Sequence, residues 1–299
     1  MESLFRKLDA QYGAETTARI RAGFEARRPT TLRANTLKAS RNDIARQLDE
    51  AGIAWEPAPA PALADAFVIR DAREDAVREL SAYNAGELYL QSLSAMLPAL
   101  ALDPRPNENI LDMAAAPGGK TCQMAALSGG GAFITACEKN HVRAERLRYN
   151  LDKQGAPRVN VMECDARKLD EFFRFDKILL DAPCSGSGTV QTGPGARKCG
   201  FSDELLARSV KTQQALLRRA LDVLAPGGTL VYATCSILAE ENEDALERVL
   251  AKSKAELAPL PEGLLEGVPL LPCRLPEAAV VCPTDLYEGF FLALIEKKG

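Results

Sequence analysis

Histidine is nearly absent from this chain, because the 299 residues contain only His141. A Ser-His-Asp or Cys-His centre would have to use that residue, and its setting, EKNHVRAERLRYN, is typical of the exposed start of a helix. The eight cysteines include no CxxC pair, so we expect no metal site. Any nucleophile in this chain must therefore be activated without a histidine base.

Long apolar runs are also missing, since none approaches the roughly 20 residues that span a bilayer. The first stretch, MESLFRKLDAQYG, lacks the basic region, apolar core and small-residue cleavage site of a secretory signal. We therefore expect a cytoplasmic protein with reduced cysteines and no membrane partner. A monomer is the default expectation for its oligomeric state.

Aromatic residues make up only 6% of the chain, which gives no clear platform for stacking bases, and the net charge is -4. Positive charge is nevertheless concentrated near the amino terminus, where residues 1–45 hold nine basic and five acidic side chains. A solvated helix surface is one interpretation, and a phosphate-binding surface is the other. The candidate contacts to nucleic acid are Arg27, Arg28, Arg33 and Lys38, with Arg197 and Lys198 in the later segment TGPGARKCG.

The hydrophobic pattern divides the chain into three parts. Residues 1–26 have the pattern of an amphipathic helix, and residues 27–84 read as a small α+β module of strand, helix and strand. Residues 85–299 alternate apolar strands with helices, which predicts a doubly wound, mostly parallel α/β sheet. Ligands bind at the carboxyl ends of the strands in such folds, so the residues that close each strand matter most.

A small-residue loop follows the first strand of this predicted sheet, and acids close the next three strands. The loop runs AAAPGGKT; small residues let a ligand approach the backbone, and the amides that open the next helix offer hydrogen-bond donors. Glu138, Asp165 and Asp181 then end strands two, three and four. A ligand with a ribose, a base amino group and a positive charge would suit three such carboxylates. S-adenosylmethionine has all three.

Two of the eight cysteines fall at the mouth of the same sheet. Cys184 follows the fourth strand in DAPCSGSGT, and Cys235 follows the fifth in VYATCS. The other six cysteines read as buried structural thiols. The residues alone do not decide which of the two would act as a nucleophile.

Several motifs in one order give the chain a resemblance to a known family. DMAAAPGGKT, DAPCSGSGT, PGGTLVYATCS followed by EENE, and YEGFFLALIEK together resemble the Nol/Nop/Sun family of RNA (cytosine-5) methyltransferases. The likeness extends back to TLRANTLK and so covers most of the chain. One departure is Ala114, where the family often has cysteine.

The resemblance implies a Rossmann-like methyltransferase domain, an RNA-recognition-motif-like amino-terminal module and an S-adenosylmethionine cofactor. It implies that Cys235 attacks carbon 6 of cytosine, that Cys184 assists product release, that Asp181 holds or protonates the base edge, and that Lys120 favours a nearby thiolate. Asp181 would then need an elevated pKa. The cofactor contacts implied are Ala114, Ala115, Ala116, Pro117, Gly118, Gly119, Lys120, Glu138, Arg143, Asp165 and Asp181.

The RNA implied by the resemblance is ribosomal or transfer RNA, and its target base would have to be unstacked. Two other interpretations remain open at this stage. A DNA cytosine-5 methyltransferase would use Cys184 as its nucleophile, and a ribosome-assembly factor would bind RNA with methylation incidental.

Overall fold

The structure is a computed structural model, and it describes residues 1–193 and 200–299. Its helices are α1 (Glu2–Glu25), α2 (Arg41–Glu50), α3 (Glu74–Arg78), α4 (Ser81–Ala85), α5 (Leu93–Leu102), α6 (Gly119–Leu127), α7 (His141–Gln154), α8 (Asp203–Val223) and α9 (Glu243–Leu250). Its strands are β1 (Thr30–Ala34), β2 (Glu56–Pro57), β3 (Ala66–Ile69), β4 (Leu88–Leu90), β5 (Asn109–Asp112), β6 (Phe133–Cys137), β7 (Val159–Met162), β8 (Phe175–Asp181), β9 (Leu224–Thr234), β10 (Ala255–Ala258), β11 (Leu270–Leu271), β12 (Ala278–Val281) and β13 (Phe290–Lys297).

The amino-terminal part forms a small antiparallel sheet in the order β2-β3-β1-β4. Helix α2 lies against it and begins with a capping box, in which Ser40 and Asp43 each accept a backbone N–H of the other. Buried Leu32, Ile44 and Leu48 belong to the core of this module. The sheet takes its last strand from residues 88–90, which lie beyond the boundary expected at residue 84.

The second sheet runs in the order β11-β12-β13-β9-β8-β5-β6-β7, with β10 paired to β13. Strands β5 to β9 are parallel, as the alternating pattern predicts, while β13 returns antiparallel to β9. The chain builds outward from β5 to β6 and β7, then crosses back to place β8 on the other side of β5. This reversal is a topological switch point, which opens a crevice beyond the carboxyl ends of β5 and β8.

Helices cover both faces of this sheet. Helix α5 and the middle of α6 pack on one face, and α8 and α9 pack on the other. Helix α1 joins the second group through buried side chains such as Leu8 and Phe24. No helix in the described residues is long and apolar enough to cross a membrane. Within the same residues, no group of acidic, histidine and cysteine side chains has the spacing to hold a metal ion.

Candidate active site

The two cysteines at the mouth of the sheet meet because their strands are neighbours. Strands β8 and β9 pair in parallel with Asp181 opposite Ala233, so the chain leaves both strands side by side. Cys184 and Cys235 follow within three residues, and their Sγ atoms lie 2.9 Å apart. Both side chains are half-buried. The fold therefore brings together the two thiols that the sequence singles out.

The Ser-Gly-Ser-Gly turn after Cys184 fixes this approach. The N–H of Gly188 donates to the carbonyl of Cys235 at 3.0 Å, and the hydroxyls of Ser187 and Ser236 are 2.8 Å apart. A Cβ at Gly188 would stand 2.1 Å from the carbonyl oxygen of Gly289. Glycine is therefore required at this turn by a close backbone approach rather than by a left-handed conformation.

A buried carboxylate from the EENE stretch holds the same turn from the other side. Glu241 is 0% exposed, and it accepts the N–H of Ser185 at 2.7 Å and the Ser185 hydroxyl at 2.5 Å. The Gln213 amide also donates to it at 3.1 Å. No role for Glu241 is predicted from the sequence, where its only signal is its place in a family motif. Its partners lie 28 and 56 residues away, so the contact depends on tertiary structure.

Lys120 and Asp181 form an ion pair at the base of the crevice. The Lys120 ammonium donates to Asp181 Oδ2 at 2.8 Å, and the Lys120 side chain is 15% exposed. Burial opposes the charge on Lys120, but the Asp181 carboxylate, together with Cys235 and Asp112, outweighs it, so the pKa of the lysine is raised. Lys120 therefore points into the crevice rather than to solvent. The role predicted for Asp181 at the base edge, with an elevated pKa, stays a prediction.

Burial raises the pKa of another carboxyl at this edge of the sheet, that of Asp112, for which the sequence predicts no role. It closes β5, is 1% exposed and accepts the Thr121 hydroxyl at 2.7 Å. Burial raises its pKa to about 6. Asp112 could have been predicted from the sequence, because it ends the first strand just as Glu138, Asp165 and Asp181 end the next three.

The electrostatic surroundings of the two thiols include each other and the Lys120 ammonium. The hydrogen bond with Cys235, followed by burial, raises the pKa of the Cys184 thiol well above its usual value. Lys120 is among the groups that interact with Cys235 through charge. These surroundings therefore favour a proton on Cys184, and they place the Lys120 cation where it interacts with the Cys235 sulfur.

The loop from Ala114 to Lys120 borders a cavity of about 210 Å³. Gly118 has φ of +109°, and a Cβ there would lie 2.9 Å from Leu147 Cδ1. Helix α6 begins at the next residue, so its first amides open toward the loop. The rest of the wall comes from Asp112, Asp181, Ala95 of α5 and three residues at the end of the amino-terminal sheet, Tyr89, Leu90 and Gln91.

A second, smaller cavity of about 50 Å³ also borders Ala114, and its lining includes Glu138, Arg143 and Asp165, which follow β6 and β7. Glu138 is 4% exposed; it accepts the Asn140 N–H at 2.8 Å and lies 3.4 Å from Arg143. Arg143 also donates to the Ala116 carbonyl at 2.8 Å, so it ties the loop to Glu138. The two cavities therefore offer carboxylate acceptors and backbone donors on either side of Ala114.

Asp165 makes its closest contacts with a neighbouring arginine. Arg167 donates to both Asp165 oxygens, and this lowers the pKa of the carboxyl to about 2. The sequence predicts a ligand contact at Asp165 but none at Arg167. A ligand group that takes hydrogen bonds from this end of the crevice would meet both side chains.

The basic residues proposed to contact nucleic acid have different surroundings. Arg27 is exposed, whereas Arg28 donates to the carbonyls of Tyr287 and Gly23. Lys38 is exposed, but its ammonium donates to the carbonyls of Ala85 and Lys153. Arg197 and Lys198 lie outside the described residues.

Arg33 is buried, in contrast to the expectation that it faces a nucleic acid, and only 3% of it is exposed. Successive side chains of β1 lie on opposite faces of the sheet, so Leu32 packs in the core of the module and Arg33 lies on the other face. Residues of α6 cover that face, including Gly119, whose carbonyl accepts from Arg33. Its guanidinium is therefore not on the surface where phosphates would bind.

Two family profiles match the chain. One, described as the 16S rRNA methyltransferase RsmB/F family, matches residues 99–296, and the other, an RsmF/B-like ferredoxin-like domain, matches residues 2–74. A crystal structure of a methyltransferase homologue from Pyrococcus horikoshii superposes with a TM-score of 0.81 and 30% identity, covering 99% of both chains.

Two curated relatives are also named as rRNA methyltransferases. A 26S rRNA (cytosine-C(5))-methyltransferase from Caenorhabditis elegans is 36% identical over 81% of this chain and 36% of its own length. Ribosomal RNA small subunit methyltransferase F from Cronobacter sakazakii is 35% identical over 89% of this chain and 56% of its own length. The chain thus spans between a third and a little over half of these two relatives.

Proposed function

Since the chain belongs to the RsmB/F family of rRNA methyltransferases, we propose that it methylates carbon 5 of a cytosine in RNA, with S-adenosylmethionine as donor. The observation that carries this proposal is the pair of thiols 2.9 Å apart beside the ion pair of Lys120 and Asp181. Ribosomal RNA is the substrate class that the names of the two curated relatives support. Transfer RNA is the other class that the sequence left open.

The crevice suits the proposed donor. Glu138 offers carboxylate oxygens to hydroxyl groups, and the first amides of α6 offer donors to a carboxylate. Asp181 and Asp112 place negative charge where a cationic group would be favoured. When bound there, S-adenosylmethionine would supply an electrophilic methyl group.

Cys235 is the nucleophile in this proposal. Carbon 5 of cytosine is a weak nucleophile, and addition of a thiolate at carbon 6 makes it an enamine carbon that can take up a methyl group. Cys184 keeps its proton because its pKa is raised, and the Lys120 cation interacts with the Cys235 sulfur. A DNA-type mechanism would instead make Cys184 the nucleophile, and the raised pKa of that thiol opposes it.

Product release follows once carbon 5 carries the methyl group. A base removes the carbon 5 proton, the electrons of that bond restore the ring double bond, and the Cys235 sulfur leaves with its electron pair. Among the described residues, Cys184 is the thiol nearest to this sulfur, and we assign it the role of assisting release. Lys120 and Asp181 offer one donor and one acceptor, which match the ring nitrogen and the amino group on the pairing edge of cytosine.

Methyl transfer to isolated RNA tests the proposal. Total RNA from cells lacking this protein would be incubated with the full chain and S-adenosylmethionine labelled in its methyl group, with DNA as a parallel substrate. We expect label in 5-methylcytidine from RNA, and bisulfite sequencing would locate it. Label in DNA alone, or none in cytosine, would refute the proposed function.

A further inference from the structure

Arg33 is a buried cation whose hydrogen bonds go to neutral oxygens. Its guanidinium donates to Gln91 Oε1 at 2.9 Å and to the Gly119 carbonyl at 3.1 Å, with a longer contact of 3.5 Å to the Ala34 carbonyl. Burial lowers its pKa to about 10, which leaves it charged at neutral pH. Burying a charge is costly unless it is well partnered, so a cation in this position indicates a role other than stabilising the fold.

The Gly119 carbonyl is part of the candidate donor loop. The carbonyl of Gly119 and the N–H of Lys120 belong to one planar trans peptide group, so the two point in opposite directions. Arg33 holds the carbonyl side of this group. The N–H of Lys120 is one of the unpaired amides at the start of α6, and such amides donate hydrogen bonds to anionic groups.

Glutamine side chains extend the same network across the two sheets. Gln91 accepts from Arg33 and donates to Gln123 Oε1 at 3.1 Å and to the Ala95 carbonyl at 2.9 Å. The Tyr89 ring packs against Gly119, where an added Cβ would lie 3.0 Å from it. The network therefore fixes the start of α6 from β1 and from the segment that follows β4.

We propose that Arg33 is a positioning residue for the methyl donor, which it serves by holding the Gly119–Lys120 peptide so that its N–H faces the crevice. This role rests on the proposed function, because it assumes that the loop binds S-adenosylmethionine. Its fixed positive charge behind the loop adds to the field of the helix amino terminus in favouring a carboxylate. The amino-terminal module thereby contributes to donor binding.

Calorimetric titration of the full chain with S-adenosylmethionine, in the absence of RNA, tests this role. We expect Arg33→Met to weaken donor binding about tenfold or more, since it removes charge-assisted hydrogen bonds. Arg33→Lys keeps the charge but loses the planar fork, so it should bind more weakly than the parent and more tightly than Arg33→Met. In a methylation assay, the KM for the donor should rise while kcat and the KM for RNA change less than threefold.

Arg41→Met is the matched control. Arg41 is in the same module and lies over the Trp55 and Phe67 rings, where it makes no bond to the loop. Its loss should leave donor affinity unchanged even if thermal stability falls. If Arg33→Met does not fold, Arg33→Lys decides the question.

Donor affinities for the Arg33 variants within twofold of Arg41→Met would overturn the positioning role. An increase in the KM for RNA with no change in donor affinity would also overturn it, because it would make Arg33 an RNA contact. No donor binding by the parent protein would instead refute the proposed function, and this role with it.

Discussion

The Sγ atoms of Cys184 and Cys235 lie 2.9 Å apart although 51 residues separate them in the chain. Two neighbouring parallel strands deliver these thiols, and a turn bonded to both segments holds them. The hydrogen bond between them and burial raise the pKa of the Cys184 thiol, so its proton is held in place. The proposed roles of nucleophile and release group give each cysteine a distinct expected phenotype.

Comparing the two cysteine variants should show which thiol forms the covalent adduct with RNA and which one assists its release. With an RNA that contains 5-fluorocytidine, the parent and Cys184→Ala proteins should form a covalent complex that persists on a denaturing gel. Cys235→Ala should form none, because the sulfur that adds to carbon 6 is gone. With ordinary RNA, Cys184→Ala alone should accumulate an adduct.

Cys273→Ala is the control for these experiments, because Cys273 contacts Glu243 outside the crevice. It should behave as the parent does. Trapping that survives Cys235→Ala but is lost in Cys184→Ala would reverse the two roles and favour a DNA-type mechanism.

Glu241→Gln should impair both stability and catalysis. The carboxylate accepts the Ser185 N–H and hydroxyl, and an amide in its place offers one acceptor oxygen and adds two donors. We expect a loss of about 1–3 kcal/mol in the free energy of unfolding, which denaturant titration measures. We also expect kcat to fall more than tenfold, since the turn that carries Cys184 loses its anchor.

The neighbouring acid Glu240 provides a matched comparison. It lies in the same EENE stretch but is paired with Lys7 near the surface. Glu240→Gln should change the unfolding free energy by less than about 1 kcal/mol and leave kcat intact. Equal effects of the two substitutions would show that Glu241 does not position the turn.

Asp112 should make the protein less stable as the pH rises from about 4 to about 6. Its pKa rises from 3.8 to about 6 on folding, so in this range the folded state binds more protons than the unfolded state. The free energy of unfolding therefore falls with increasing pH, by about 3 kcal/mol from this group.

Asp112→Asn should remove that slope while keeping an oxygen for the Thr121 hydroxyl. Denaturant titrations of both proteins at several pH values would measure the difference. Asp165 acts in the opposite sense, since its pKa is lowered to about 2 and its stabilising contribution is lost only below about pH 4. Parallel pH profiles for the parent and Asp112→Asn would contradict the expectation.

The arrangement around each strand end was largely predictable because it follows from local rules. The alternation of apolar strands and helices predicts a parallel sheet, and parallel strands put their carboxyl ends on one edge. That was enough to place Cys184, Cys235 and Asp181 near one another, and to place the small-residue loop beside them. The same rule applied to β5 would have found Asp112.

Tertiary structure alone decided the roles of Arg33 and Glu241. A basic residue in a basic segment reads as a surface group, yet packing of the module on α6 buries Arg33 and aims it at Gly119. Glu241 is one acid among several in its stretch, and only the approach of Ser185 from 56 residues away distinguishes it. The sequence by itself determined which chemical groups the strands carry to the crevice, because that depends on periodicity along the chain. Which of them are charged, buried or held in place depends on neighbours that only folding brings together.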